Sequence, residues 1–64
     1  MTTYPLETIF RLARVLEVTG LSRSTLYLYI SQDKFPKPRK LGARAVGWFA
    51  SEVFAWVAAR ELAA

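Results

Sequence analysis

The sequence predicts a mainly α-helical domain with a small β-hairpin, and three observations carry that expectation. The first is the run Thr19-Gly20-Leu21-Ser22-Arg23-Ser24-Thr25-Leu26-Tyr27, which reads as a helix end, a tight turn and a second helix start. Gly20 supplies the left-handed backbone that closes one helix, and Leu21 can drop into a core as the chain reverses. Ser22 offers a side-chain oxygen to the orphan amides of the next helix. Helix, short glycine turn and capped helix make a helix-turn-helix pattern, whose second helix commonly enters the DNA major groove. The second observation is the basic segment from Phe35 to Trp48, with Pro36, Pro38, Gly42 and Gly47 as hairpin punctuation. The third is the stripe Val53, Trp56, Val57 and Arg60, spaced i, i+3, i+4, i+7 as in a helix.

Taken in order, Met1 to Pro5 reads as a lead-in, because Pro5 bars a regular helix through it. Ile9, Leu12, Ala13 and Leu16 fall at helical spacing with support from Val15, which predicts a first helix through Thr19. Its start lies near Leu12 or as early as Thr8, and Ile9 to Arg11 fits a short strand equally well. The second helix is expected from Arg23 to about Asp33. Its core face is Leu26, Tyr29 and Ile30; Ser24, Leu28 and Ser31 lie opposite, flanked by Tyr27 and Gln32. Phe35-Pro36 stops this helix, and Phe35 plugs the underside of the core. Residues 39–41 and 46–48 form two short strands around the turn Gly42-Ala43-Arg44-Ala45, with Gly47 permitting a bend or bulge beside Trp48. A third helix is expected from a Ser51 cap to about Leu62. Trp48 and Trp56 are read as core residues, since two tryptophans would be the principal mass of so small a core.

Sixty-four residues suit one domain, spanning 1–64. A chain of this length buries only about 60% of its unfolded surface, so its core is small. Apolar residues at 53% and charged residues at 22% mark a globular rather than a disordered chain. The chain contains neither cysteine nor histidine, so neither disulfides nor thiolate metal sites are expected. Five carboxylates without histidine or cysteine leave little from which to build a nucleophile or metal site. The expectation is therefore no enzyme, no cofactor and no metal. The N-terminus has no signal-peptide pattern and no apolar run approaches a membrane span, which makes cytoplasmic residence the expectation.

The net charge of +4 favours a polyanionic partner, and its distribution is more telling than its total. Lys34, Lys37, Arg39, Lys40 and Arg44 place five of the nine basic residues within eleven positions that hold no acid. A solvated loop would account for such a run by itself. Beside a helix-turn-helix pattern, contact with DNA phosphates is the better reading.

From Leu12 to Trp56 the chain resembles the AlpA family of small bacterial and prophage DNA-binding regulators, related to the excisionase and MerR-like group. The resemblance is carried by the run from Thr19 to Tyr27, then Phe35-Pro36-Lys37-Pro38, Lys40-Leu41-Gly42, Arg44, Val46-Gly47-Trp48, Ser51-Glu52-Val53 and Ala55-Trp56. It implies a winged helix-turn-helix, with three helices plus a two-stranded wing. It also implies a sequence-preferring, nucleoid-associated regulator of transcription or an excisionase-type directionality factor for recombination. By position, the resemblance puts Arg23, Ser24, Tyr27 and Leu28 on the exposed face of the recognition helix. Lys37, Arg39, Lys40 and Arg44 fall in the wing and its approach.

Each of these residues has a chemistry that suits DNA. A first-turn arginine such as Arg23 reaches guanine O6 and N7, or clamps a phosphate. Ser24 and the amides behind Ser22 suit phosphate at a helix N-terminus, with Ser22 itself a structural cap. Tyr27 can donate its hydroxyl to phosphate, and Arg44 at the wing tip suits the minor groove or backbone. Two positions depart from the family pattern. Leu28 stands where a basic or polar residue is common, and can touch a thymine methyl instead. Phe54 stands where an acidic residue is common; with Ala58 it predicts an apolar strip on the third helix and weak self-association on DNA. The rival reading is a phage protein-interaction module that binds an integrase-type recombinase or RNA polymerase through Leu28, Phe49 and Phe54.

Overall fold

The structure, a computed structural model, describes residues 8–61. The expected lead-in at Met1 to Pro5 and the expected helix end at Leu62 lie outside the described residues. The elements in chain order are β1 (Ile9–Phe10), α1 (Leu12–Thr19), α2 (Arg23–Ser31), β2 (Arg39–Gly42), β3 (Ala45–Phe49) and α3 (Ala50–Ala58). Three helices and a three-stranded antiparallel sheet of order β1-β3-β2 make up the domain. The sheet has one strand more than the two-stranded hairpin expected from the sequence. At Ile9 the strand alternative holds: Ile9 pairs with Phe49 and Phe10 with Trp48, so alternation sends Phe10 into the core.

The helix-turn-helix follows the sequence closely. Gly20 sits at φ 73° and its N–H donates to the Leu16 carbonyl at 2.9 Å, closing α1. Thr19 Oγ1 donates to the Val15 carbonyl at 2.8 Å and accepts from the Leu21 amide at 3.3 Å, which tightens the turn. Leu21 is partly buried against the core. Ser22 Oγ accepts from the Thr25 amide at 3.2 Å and donates to Thr25 Oγ1 at 2.9 Å. α2 stops at Ser31, two residues short of the expected Asp33. Asp33 adopts φ 58°, and the Lys34 amide reaches back to the Tyr29 carbonyl at 2.8 Å. That left-handed closure ends the helix without a glycine, a conformation aspartate tolerates better than most residues.

The third helix corrects two expectations. It begins at Ala50 with no side-chain cap, and Ser51 lies inside its first turn. β3 runs straight into α3, and the Ala50 amide, an orphan donor of the first turn, donates to the Thr8 carbonyl just ahead of β1 at 2.7 Å. The helix ends at Ala58, well before the expected Leu62. Of the expected stripe, Val53 is buried, Trp56 is half-buried, and Val57 and Arg60 are exposed.

The core consists of Phe10, Val15, Leu26, Phe35, Trp48, Ala50 and Val53, with Tyr29 and Ile30 packed on it from α2. Leu26, Tyr29, Ile30, Phe35 and Trp48 thus take the inward places read from the sequence. Among the described residues no polar or charged residue is buried, and no helix is long and apolar enough to cross a membrane.

Gly47 has a different role from the expected bulge. The register shift falls on the opposite strand, between Lys40 and Gly42, which leaves Leu41 as the extra residue. A Cβ on Gly47 would lie 2.5 Å from Ile9 Cγ2, 3.0 Å from the Phe10 carbonyl oxygen and 3.1 Å from Leu41 Cδ1. The side chains of β1 and β2 therefore close over a position that must be empty. Gly47→Ala is expected to destabilise the domain by about 1–3 kcal/mol, the range for overpacking. Gly42→Ala, with open space around it, should stay within about 0.5 kcal/mol. Urea unfolding of the two variants checks the contrast; equal stability would show that Ile9 yields freely.

Candidate nucleic-acid interface

α2 buries one side and presents the other. Leu26 is fully buried while Ser22, Arg23, Ser24, Tyr27 and Leu28 are exposed, with Tyr27 at 42% and Leu28 at 52%. A half-exposed leucine beside a half-exposed tyrosine is surface the core does not use. Ser24 and Leu28, like Arg23 and Tyr27, are four residues apart and so stack on one outward face. The Ser22 side chain makes the cap expected from the sequence. The same cap orders the first turn, where free amides and the positive end of the helix dipole favour an anion.

From α2 the chain passes into the basic segment through a clamp made by both tryptophans. Trp56 Nε1 donates to the Lys34 carbonyl at 2.7 Å, and Trp48 Nε1 donates to the Pro36 carbonyl at 2.8 Å. Phe35, between those two carbonyls, packs edge-on against both indoles, with centroids 5.0 Å from Trp56 and 6.5 Å from Trp48. Tyr29 flanks Trp56 from α2 at 6.3 Å, and the Arg60 guanidinium lies 3.9 Å over the Trp56 ring. The exit of α2 is thus fixed to β3 and α3 by two hydrogen bonds and an aromatic wedge. Sequence reasoning assigned both rings to the core but missed the clamp. The available signal was chemical: a buried indole N–H needs an acceptor.

The basic residues of the segment fall into distinct settings. Lys37 Nζ lies 3.5 Å from Asp33 Oδ1, both highly exposed, a pairing that leaves the lysine available to other anions. Lys40 pairs with Val46 and therefore projects from the sheet face that carries Trp48. Arg39 pairs with Gly47 and projects from the opposite face, where its guanidinium lies 4.1 Å over the Phe49 ring and 3.2 Å from Glu52 Oε2. Arg44 stands in the turn between β2 and β3. Arg23, Lys40 and Arg44 are exposed and make no ion pair among the described residues. Arg23, Ser24, Tyr27 and Leu28 are brought together on one helix face, whereas Arg39 is held apart from Lys40.

Phe54, expected as part of an apolar strip, is 40% exposed and packs edge-on against Phe10, with centroids 5.6 Å apart. That contact ties it to the margin of the core. Among the described residues no three histidine, cysteine or carboxylate side chains cluster as metal ligands would. Between β1 and α1 lies an open groove of about 480 Å³, lined by Thr8, Ile9, Phe10, Ala13, Arg14 and Glu17 among others; the Arg14–Glu17 pair on its rim is 3.4 Å apart.

Comparison with known proteins places this arrangement. The profile of the family described as "Prophage CP4-57 regulatory protein (AlpA)" matches residues 8–61. The "DNA-binding transcriptional activator AlpA" of Escherichia coli K12 is 36% identical over 58 residues, covering 81% of this chain and 83% of that protein. An uncharacterised protein, ORF88, of Enterobacteria phage P4 is 44% identical over 54 residues, covering 84% of this chain. The match spans 61% of the length of the phage protein. No solved structure matches the chain. With the family pattern running through the whole described fold, the chain belongs to the AlpA family.

Proposed function

We propose that this protein binds duplex DNA with sequence preference and acts as a transcriptional regulator, using a winged helix-turn-helix. In this reading α2 enters the major groove and the β2–β3 hairpin is the wing that meets the backbone or minor groove. The observation that carries it is the capped α2, whose outward face holds Arg23, Ser24, Tyr27 and Leu28 with no commitment to the core. The kinship with a DNA-binding transcriptional activator of Escherichia coli supports the same reading. Lys37, Lys40 and Arg44 supply the phosphate contacts, and Arg23 supplies base or phosphate recognition. An excisionase-type role would use the same surface; attachment-site binding that shifts a recombinase toward excision would distinguish it.

Selection from random duplexes at low salt tests the proposal, and failure to enrich any sequence would overturn it. Arg23→Ala should cost about 1–3 kcal/mol at the selected site and relax preference at one position, as loss of a bidentate guanine contact does. Arg44→Ala should weaken all sequences about equally. Equal, sequence-independent losses for both would reduce Arg23 to a phosphate clamp. Leu28 gives a further check: replacing thymine by deoxyuridine removes one methyl group. If Leu28 touches that methyl, the replacement weakens the parent chain and leaves Leu28→Ala unaffected.

A further inference from the structure

We propose that Arg39 is a positioning residue that braces the β2–β3 hairpin against α3, and that it does not contact DNA. This rests on the DNA-binding reading only for its functional consequence; the brace itself is a property of the free protein. Arg39 belongs to the basic segment, and composition alone groups it with Lys37, Lys40 and Arg44. The geometry separates it. Its guanidinium is held by Glu52 Oε2 at 3.2 Å and by the Phe49 ring at 4.1 Å, two partners from different elements. Strand alternation sends it away from the face that carries Lys40 and Trp48.

Glu52 explains why Arg39 stays in place. Its side chain is one-third exposed, yet Oε1 is buried and finds no hydrogen-bond partner among the described residues. The charge-assisted bond from Arg39 is the one that the described residues provide to this carboxylate. Moving Arg39 to a phosphate would leave this partly buried carboxylate with no bond from the described residues, at the modest cost of losing a half-exposed charge pair. Glu52 is itself well placed in the first turn of α3, where the helix dipole favours an acid. The pair therefore links β2 to the start of α3 across thirteen residues, with the Phe49 ring beneath the guanidinium. Arginine suits this position better than lysine, because its planar group stacks and bonds at once.

Native-state hydrogen exchange and DNA titration on the full chain test the proposal together. Arg39→Gln and Glu52→Gln should each speed exchange of the hairpin amides by about twofold to fivefold, the range of a half-exposed pair. Core amides of α2 should be unchanged, and the double variant should be no worse than either single one. Unchanged hairpin exchange in both variants would overturn the brace, whether or not the chain binds DNA. On DNA, both variants should weaken binding without altering its salt dependence. Arg44→Ala should also lose part of its effect in the Arg39→Gln background, a coupling that a uniform loss of stability would not produce. A salt dependence flattened by about one in Arg39→Gln, with tighter binding by Glu52→Gln, would instead make Arg39 a phosphate contact. If the unaltered chain binds no DNA, the functional reading fails, and the exchange rates still decide the brace.

Discussion

Trp48→Ala should leave the domain largely unfolded at room temperature. Trp48 is fully buried, the largest side chain of the core, and it faces Phe10 across the sheet and Phe35 from the loop. Truncating a buried tryptophan costs about 3–5 kcal/mol, partly lost transfer energy and partly the cavity left behind. A domain of this size has little more than that to lose, since small domains sit at the lower end of about 5–15 kcal/mol. Trp48→Phe separates the two contributions of the residue. It keeps much of the ring volume but removes the donor to the Pro36 carbonyl, which should cost about 1–3 kcal/mol where that carbonyl is shielded from water. Trp56→Ala should cost less than Trp48→Ala, because Trp56 is half-buried at the margin of the core. Urea titrations followed by far-ultraviolet circular dichroism rank the three. A folded Trp48→Ala variant that had lost DNA binding would move this ring from the core to the interface.

The helix-turn-helix was legible because its signals are local. A left-handed glycine, a serine cap and an apolar face of period 3.6 each act within a few residues, and each appears where the sequence puts it. The boundaries that moved are those set at long range. β1 exists because β3 supplies its partner forty residues away, and two residues of sequence do not distinguish a strand from a helix start. The Ser51 cap was misread for a related reason: β3 runs directly into the helix at Ala50, whose amide the Thr8 carbonyl takes, so Ser51 falls inside the first turn. Gly47 looked like a bend because its neighbours Ile9 and Leu41 come from other strands. The outward face of α2 could be read from helical phase alone. The division of the basic segment could not, because it depends on strand parity and on Glu52, which no charge count connects to Arg39.

Binding to the selected duplex should fall about fortyfold to a hundredfold as monovalent salt rises from about 50 to about 200 mM. The expectation follows from the cations that the fold leaves available. Arg23, Lys40 and Arg44 make no ion pair among the described residues, and Lys37 has only a highly exposed partner. Each phosphate neutralised contributes a slope of about −0.9 in log K against log salt. With Arg23 on a base, the three remaining contacts give about −2.7, and a fourfold rise in salt weakens binding about fortyfold. With Arg23 clamping a phosphate, four contacts give about −3.6 and somewhat more than a hundredfold. Counting Arg39 as a fifth contact would steepen the slope to about −4.5. Fluorescence anisotropy across that range therefore measures how many of the clustered basic residues reach DNA. Arg44→Ala and Lys40→Ala should each flatten the slope by about one, whereas Leu28→Ala should weaken binding with the slope unchanged. That last contrast separates the two halves of the interface, since an apolar contact to a base releases no counterions. A slope near −1 in the unaltered chain would mean that the basic segment stays in solvent, leaving α2 to bind without a wing.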